Sequence, residues 1–478
     1  MLWLAIHLPH LALELFGPST PPFVVSAGPD NRPSVHARNR AAAAAGIQRG
    51  MPLSAARSLC AALAVRPRNA AAEQAALEQL AAWAGQYTSQ VSLQLPTATQ
   101  AHHGLLLEIG GSLALFGGLA ALQEQISAGL RALGYHPRLG IAPTPLGAWL
   151  LARARDEVPA ADRAELTRRL HPLPIALLDV REQTLRTLHG LGLATLGDCL
   201  RLPRAGLARR LTPDLLVQLD RAFGLLPDPR SRYTPPVEFN ARIALPAEVE
   251  NSAALLFPIR RLLLELGGLL RARSAGVQEL LLQLEHHQHA ASRIKLGLLQ
   301  PSRDAAHLLA LLRERLERFE LPAPVEAVSV QAARFPALDQ DHRELFAEHS
   351  GCGNDWGALI ERLRARLGHA AVCSLRLHAD HRPEHGWREA APVPPQASQA
   401  AAPANLPPRP LWLHATPAAL AAPPAQHLLH GPERIETGWW DGRDAARDYF
   451  IITMPQGPRL WLYRDRISGE WLTQGLFG

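Results

Sequence analysis

The sequence predicts an α+β protein of several domains, and three patterns support this prediction. Short apolar strands alternate with helices up to about residue 170, which is typical of sheets covered by helices. Residues 237–333 follow the order strand, helix, strand, strand, helix, strand, which is the pattern of a compact split-βαβ module. Residues 411–478 are predicted to form a small β-rich unit. A chain of 478 residues has room for three or four such domains.

The first part of the chain is predicted to contain strands bounded by turn residues and helices with apolar side chains at helical spacing. The expected strands are 2–8, 24–25, 105–109 and 138–141. The expected helices are two short segments within 39–64, followed by 70–85, 119–133 and 145–155. Residues 172–228 differ, because short helices alternate there with Leu-Gly and Leu-Pro turns and many arginines.

The second half of the chain begins with the βαββαβ module. Its expected elements are strand 237–245, helix 251–273, strands 277–285 and 291–299, helix 302–319 and strand 324–333. A polar extension follows, with a helix predicted at 355–367 and a strand at 371–378. The Pro/Ala-rich stretch 390–410 is typical of a linker. The final unit is rich in tryptophan, with strands expected at 449–454, 460–463 and 471–472.

Composition excludes several classes of protein. The 49 Lys+Arg against 43 Asp+Glu give a formal net charge of +6, and all of these bases except Lys295 are arginines. Since no lysine follows a glycine, a Walker phosphate loop is excluded. The four scattered cysteines argue against structural zinc and a disulfide framework. No apolar run is long enough for a membrane span and no signal peptide is recognised, so we expect a cytoplasmic protein with no membrane association.

Several segments resemble Y-family translesion DNA polymerases, and they occur in the family's order. These segments are 39–52, 87–91, 106–109, 191–198 and the βαββαβ module. The resemblance implies the following domains: palm and fingers over 1–170, a helical thumb with helix-hairpin-helix character over 171–232, a little finger over 233–336, a clamp-peptide region and extension over 337–389, the linker over 390–410, and a C-terminal partner-binding domain over 411–478.

The polymerase reaction needs two magnesium ions held by several carboxylates. The positions that the resemblance matches to these carboxylates hold His7, His103 and Gly104. The acids available in residues 1–110 are Glu14, Asp30, Glu73, Glu78 and Glu108. Asp30 is expected in a turn and Glu73 and Glu78 on an exposed helix face, so we expect no three acids to converge.

The residues that grip the incoming nucleotide in the family are replaced as well. The tyrosine and arginine of the fingers correspond to Arg40 and Ala43, and the lysine that touches the triphosphate corresponds to Trp149. The combined losses predict a pseudo-polymerase with no catalytic residues, no metal and no cofactor.

The C-terminal segments 431–442, 447–450 and 475–477 resemble the tail of the ImuB family, a catalytically inactive, DinB-like branch of the Y family. This resemblance implies a non-catalytic adaptor in translesion synthesis and the mutagenesis that DNA damage induces through the SOS response. The implied partners are DNA, the sliding clamp (the DNA polymerase III beta subunit), a RecA-like ImuA protein and an error-prone DNA polymerase III alpha-type subunit.

A clamp-binding peptide is predicted just after the βαββαβ module. Such peptides carry a glutamine and end in Leu-Phe, whose side chains enter an apolar pocket. Gln340, His342, Leu345 and Phe346 form this pattern, with His342 at the usual glutamine position if Leu345-Phe346 is the anchor. The alternative is a helix end whose leucine and phenylalanine belong to a core.

Candidate DNA contacts lie in the thumb-like region. Gly190 and Gly192 resemble a helix-hairpin-helix turn whose backbone amides would face a phosphate. A shifted register instead places Asp179-Val180-Arg181 at the hairpin, which would make the motif degenerate. The nearby arginines are candidates for phosphate contacts or, alternatively, residues of a solvated helix: Arg201, Arg204, Arg209 and Arg210.

The C-terminal aromatics Trp439, Trp440, Tyr449 and Phe450 are predicted to bind a partner, to form a small core, or both. The histidine-rich segments 286–289 and 102–103 are expected to be turns rather than metal sites. Two alternatives to the adaptor remain. One is an active error-prone polymerase using displaced acids such as Glu14 and Glu108, and the other is a DNA-binding protein without a polymerase partner.

Overall fold

The computed structural model describes residues 1–17, 20–29, 31–97, 102–155, 158–204, 213–338, 351–392, 407–421, 427–454 and 457–477. The chain divides into two compact units, Met1–His342 and Arg343–Gly478. Strands and helices alternate in the first unit, whereas strands predominate in the second. Among the described residues, no helix is both long enough and apolar enough to cross a bilayer.

The strands of the first unit are β1 (Trp3–His7), β2 (Phe23–Ala27), β3 (Ser34–Arg38), β4 (Ala64–Pro67), β5 (Val91–Gln94), β6 (Gly104–Glu108), β7 (Arg138–Ala142), β8 (Phe239–Val249), β9 (Val277–His286), β10 (His289–Ser302) and β11 (Val325–Ala332). Its described helices are α1 (Leu11–Glu14), α2 (Arg40–Ala44), α3 (Leu53–Leu59), α4 (Ala70–Ala84), α5 (Leu119–Ala132), α6 (Pro145–Ala154), α7 (Arg163–Leu170), α8 (Glu182–Gly190), α9 (Leu196–Arg201), α10 (Pro213–Ala222), α11 (Ser252–Ala272) and α12 (Ala305–Leu316).

The central sheet of the first unit has the order β5-β6-β1-β7, with antiparallel neighbours. β1 is buried on both faces, which explains its continuous apolar run. Leu4 and Ile6 pack into the core that includes α4 and α5. Trp3 and Ala5 face the opposite side and join the core of α6 and the short helices that follow it. Because side chains alternate along a strand, His7 projects towards this α6 face.

A second sheet has the order β3-β2-β4, and β2 pairs with β4 in parallel. The sequence predicted only its β2 strand. β3 buries only alternate residues, Val35 and Ala37, and β4 is largely exposed, so neither strand has a strong apolar run. The pairing partner, rather than local hydrophobicity, defines these two strands.

The βαββαβ module folds in the predicted order, as a four-stranded sheet β10-β9-β11-β8 with helices α11 and α12. Its helix α11 packs against α4 of the central-sheet region. Trp83 of α4 lies between Gly129 of α5 and Gly268 of α11, where the missing glycine side chains allow close approach. The module is therefore part of the same compact unit as the central sheet.

The second unit contains helix α13 (Gly351–Leu367) and a hairpin of β12 (Ser374–Leu377) and β13 (Trp387–Ala390). Five strands, β14 (Trp412–Leu420), β15 (Leu428–Thr437), β16 (Ala445–Thr453), β17 (Arg459–Asp465) and β18 (Trp471–Leu476), form an antiparallel sheet of order β14-β18-β17-β16-β15. Its core includes Tyr449 stacked on Trp461, with ring centroids 4.4 Å apart.

The loop before the linker joins this sheet. Arg382 donates hydrogen bonds to Asp441, and Arg447 and Gln474 donate to Glu384, so residues 380–385 pack on the sheet. The folded unit thus reaches further towards the N-terminus than the predicted partner-binding domain of 411–478. These side-chain pairs are distant in sequence, and no local pattern indicates them.

Candidate functional site

The predicted metal positions come together at the end of the central sheet. His7, the last residue of β1, lies directly opposite Gly104 on β6 and Arg138 on β7. Residues directly opposite each other in an antiparallel sheet project from the same face. The sheet therefore places an imidazole, an empty glycine position and a guanidinium side by side.

Trp149 of α6 fills the space above Gly104. A Cβ built on Gly104 would overlap the Ile6 carbonyl oxygen and lie 2.8 Å from Cη2 of the Trp149 indole. The same indole meets the His7 ring edge-on, with centroids 5.3 Å apart. The tryptophan at the predicted lysine position and the glycine at a predicted carboxylate position are thus a matched steric pair.

His7 and His102 are neutral neighbours. His7 Nε2 and His102 Nδ1 share a hydrogen bond of 3.3 Å. Burial, followed by the repulsion that protonated His7 would meet from a protonated His102 and from Arg153, lowers the pKa of His7 from 6.5 to about 3. Burial also lowers the pKa of His102 to about 4. The expectation that 102–103 form a simple turn is therefore wrong, because both side chains pack into the site.

Glu73 is a second correction. It is 1% exposed, rather than lying on an exposed helix face. Arg68 donates two hydrogen bonds to it, of 2.8 and 2.7 Å, and His103 Nε2 lies 3.4 Å from Oε2. Arg68 already neutralises this carboxylate.

Asn39 and Asn69 cap α2 and α4 by accepting backbone N–H bonds, and these caps hold the surrounding helices in place.

The remaining acids serve other contacts. Glu108 accepts bonds from the backbone N–H groups of Leu2 and Gly110. It lies four residues along β6 from Gly104, a separation of roughly 13 Å. Glu14 accepts a bond from the His136 backbone N–H, and burial raises its pKa. The acid predicted at position 30 lies outside the described residues.

These side chains line an open cleft with a volume of about 1660 Å³. Its described lining contains three acids, Glu14, Glu73 and Glu182, against a larger number of arginines: Arg38, Arg40, Arg49, Arg138, Arg153, Arg155 and Arg181. The predicted nucleotide-contact positions Arg40 and Ala43 also lie on this lining. The cleft is therefore strongly basic.

Two magnesium ions do not fit this donor set. Mg²⁺ requires near-octahedral oxygen ligands, usually carboxylates. His7 and His103 offer imidazole nitrogen, Gly104 offers no side chain, and Glu73 is already bound by Arg68. The geometry suits neutral or anionic ligands better than divalent cations.

The predicted hairpin joins α8 to α9. Gly190 ends α8, and Gly192 adopts a φ of +79°, which favours glycine. The amides of Ala194 and Thr195 donate to the Asp198 carboxylate at 3.2 and 3.0 Å in a capping box. These two amides are engaged inside the protein instead of being available for a phosphate.

Two of the four candidate DNA-binding arginines form ion pairs within the protein. Arg201 lies 3.5 Å from Asp198, and Arg204 pairs with Asp220. Both remain exposed, so the pairs compete with a phosphate without burying the guanidinium groups. Arg209 and Arg210 lie outside the described residues, as do the clamp-peptide residues Gln340, His342, Leu345 and Phe346.

The C-terminal aromatics divide into two groups. Trp439 and Trp440 are 79% and 59% exposed and pack edge-on against each other. Tyr449 is 1% exposed and donates a 2.6 Å bond to Gln474, so its prediction as a partner contact is wrong and it is a core residue. Phe450 is half-buried beside Trp471. Side chains alternate between the two faces of a strand, so a prediction with the correct bounds of β16 would have placed Tyr449 on the buried face.

The histidine run at 286–289 forms the β9–β10 turn, as predicted. His286 uses both ring nitrogens, against the Ala323 carbonyl and the Ser292 hydroxyl. His287 instead contacts Glu326 at 2.7 Å, and with Glu248 they form a group whose ligand atoms lie within 4.8 Å of one another. His287 and Glu248 are exposed, and Glu326 is partly buried.

Comparison with known proteins finds sequences similar to this chain. Residues 14–153 match the impB/mucB/samB family. The chain is 28% identical to Protein ImuB of Caulobacter vibrioides, in strains NA1000 / CB15N and ATCC 19089 / CIP 103742 / CB 15, over 85% of this chain and 94% of that protein.

Solved structures similar to the chain include DinB from Sulfolobus solfataricus, at 17% identity and a TM-score of 0.40, covering 71% of this chain and all of that one. An insertion ternary complex of Dbh DNA polymerase matches at 16% identity and a TM-score of 0.42, covering 70% of this chain and 99% of that one. The family and ImuB matches confirm the predicted resemblance, and the observed α+β fold with an added β-rich C-terminal unit confirms the predicted fold class.

Proposed function

We propose that this Y-family-like chain, which is similar to ImuB, is a non-catalytic adaptor in translesion synthesis and damage-induced mutagenesis. The single observation that carries the proposal is the packing of Trp149 over Gly104. A catalytic carboxylate at this point of the sheet would need the volume that the indole occupies. The replacement of the neighbouring strand position by His7 supports the same conclusion.

Phosphoryl transfer by a polymerase relies on two metal ions that stabilise the attacking and leaving oxygens. Among the described residues, the cleft around His7 and Gly104 offers no pair of free carboxylates for them. The alternative of an active polymerase would use Glu108 and Glu14 as displaced catalytic acids. Both carboxylates already accept backbone N–H bonds elsewhere, which argues against this alternative. The adaptor therefore acts by binding.

The proposed partners are DNA, the sliding clamp, a RecA-like ImuA protein and an error-prone DNA polymerase III alpha-type subunit. The similarity to ImuB supports this set. The exposed pair Trp439 and Trp440 supports a protein contact on the second unit, because large aromatics are typical interface anchors. Leu345 and Phe346 remain the proposed clamp anchor, and the arginine-rich cleft and thumb-like region would supply salt-sensitive DNA affinity.

Primer extension tests the absence of catalysis. The full-length protein is incubated with a primer–template and all four nucleotides, in magnesium and in manganese, beside an active Y-family polymerase as a positive control. We expect no extension product. Extension that is lost in Glu108→Ala, Glu14→Gln or Glu73→Gln would contradict the proposal and favour an enzyme with displaced acids.

Partner capture separates the adaptor from a DNA-binding protein that has no polymerase partner. The full-length chain should retain the alpha-type subunit in a pull-down that contains nuclease, so that DNA cannot bridge the two proteins. Trp439→Ala with Trp440→Ala should reduce retention, whereas Trp387→Ala, also exposed on the second unit, serves as the matched control. Binding of DNA in a separate assay without nuclease, together with no retention of any polymerase subunit, would favour a DNA-binding protein that has no polymerase partner.

A further inference from the structure

The cleft carries positive charge at the point where a polymerase concentrates negative charge. Arg138 lies directly opposite His7 in the sheet, on β7, whereas Gly104 lies on β6 at the other side of β1. Arg153 is one helical turn beyond Trp149 on α6, so the two project from the same side of the helix. Arg49 reaches the same region and donates a 3.3 Å bond to the Pro9 carbonyl. Three guanidinium groups thus surround the predicted metal position.

These cations repel one another. Burial, then Arg155 and Arg49, lower the pKa of Arg138. Burial lowers the pKa of Arg153 to about 10, against the opposing attraction of Asp179. Concentrating like charges in a partly buried cleft is unfavourable unless an anion neutralises them.

The acids of the cleft lining do not provide this neutralisation. Arg68 binds Glu73 through two hydrogen bonds, and His136 binds Glu14 through its backbone and ring. Glu182 is exposed and lies 3.7 Å from Arg186 on its own helix. Each of these three carboxylates thus already pairs with a residue other than Arg138.

A buried polar atom of the cleft lining also lacks a partner. His7 is 3% exposed, and its Nδ1 atom has no hydrogen-bond partner among the described residues. An unsatisfied buried polar atom costs on the order of 1–3 kcal/mol, so its presence calls for an explanation. The ring lies on the cleft lining, so this unpaired nitrogen adds a polar group beside the arginine cluster.

We propose that the cleft binds a phosphate group without a metal ion, at the position bounded by His7, Arg49, Arg138 and Arg153. The charge of the expected metal site is inverted, since a neutral imidazole stands at one expected carboxylate position and guanidinium groups lie beside it. Arginine suits this role because its planar donor pairs match the oxygens of a phosphate. The phosphate can belong to a free nucleotide or to a DNA strand, and both sources share this chemistry.

Calorimetric titration with sodium tripolyphosphate in EDTA tests the proposal on the full-length protein. We expect saturable, metal-independent binding that weakens at least tenfold in Arg138→Gln and in the more exposed Arg49→Gln. Arg131→Gln is the matched control, because Arg131 is an exposed arginine of α5 outside the cleft lining and should leave affinity unchanged. Circular dichroism checks that each variant folds.

The proposal fails if the wild-type protein shows no saturable binding in EDTA, or if the two cleft variants bind like Arg131→Gln. Titrations with a nucleoside triphosphate and with a short single-stranded oligonucleotide then identify the source of the phosphate, since the site's own ligand should bind more tightly than the other. This experiment contains no primer extension and no protein partner. Its failure would therefore leave the adaptor proposal standing. Failure of the adaptor proposal would likewise leave the proposal of phosphate binding standing.

Discussion

The indole of Trp149 occupies the volume into which a side chain on residue 104 would project. Gly104 lies opposite His7 in the central sheet, so this single packing contact closes the position where the family resemblance expects a metal-binding carboxylate. The loss of carboxylates and the gain of a large aromatic residue on α6 are linked by shape. Restoring only the carboxylate would leave it without space.

Gly104→Asp should destabilise the first unit by about 1–3 kcal/mol, because the new side chain must displace the indole or the Ile6 backbone. Urea unfolding followed by circular dichroism measures the change. Gly111→Asp is the control, since nothing lies within 4 Å of a Cβ at Gly111. Equal stability of the two variants would show that the cleft adjusts to a side chain at residue 104.

Acidification should destabilise the protein through His7. Its pKa is about 3 in the folded state against an ordinary 6.5, so below pH 6.5 the unfolded state binds more protons. Stability is therefore full above pH 6.5 and declines as the pH falls towards 3, by about 1–2 kcal/mol at pH 5 for this group alone.

His7→Gln should reduce the loss of stability between pH 7 and pH 5, as measured by urea unfolding at each pH. The quantity compared is the difference in unfolding free energy between pH 7 and pH 5, so that a packing change common to both pH values cancels. His189→Gln, at an exposed position on α8, should keep the wild-type pH dependence. An unchanged pH dependence in His7→Gln would contradict the buried, neutral state of His7.

The aromatic residues of the second unit should separate into binding and folding roles. Trp461→Ala removes a buried ring stacked on Tyr449 and should cost about 3–5 kcal/mol in unfolding free energy. Trp439→Ala with Trp440→Ala should change stability little, because both side chains are mainly exposed. Thermal unfolding of the full chain compares them, and a large loss in the double variant would place this pair in the core.

Leu345→Ala with Phe346→Ala should abolish binding to the sliding clamp, because these side chains are the proposed apolar anchor. Surface plasmon resonance with the immobilised clamp measures the affinity. Leu359→Ala, on the exposed surface of α13, is the control and should bind like the wild type. Wild-type affinity in the double variant would mean that another segment contacts the clamp.

The sequence predicted strong elements better than weak ones. β1 and the βαββαβ module have continuous or regularly spaced apolar residues, and the structure contains them close to the expected bounds. β3 and β4 were missed, because each has few buried side chains and depends on pairing with β2. β14 and β15 were also missed, since most of their residues are exposed and β14 contains a proline.

The sequence predicted which residue types the site contains, but it did not predict the contacts between them. The family resemblance predicted His7 and Gly104 at positions where a polymerase has carboxylates. The position of Arg138 beside His7 depends on the register of β1 and β7, and the contact of Glu73 with His103 joins α4 to the start of β6. Neither relationship has a local signal, because the residues meet only when distant segments pair.

The sequence by itself determined which chemical groups this protein has: an arginine-rich chain with histidine, glycine and tryptophan at the positions where the family resemblance expects acids and lysine. Residue type settles which groups can ionise or bind a metal, and no folding step changes that. Only the tertiary structure decided that Trp149 fills the place above Gly104 and that arginines gather around His7. The reason is physical: volume and electrostatic potential at a point depend on every side chain nearby, and those side chains come from β1, β6, β7 and α6 together.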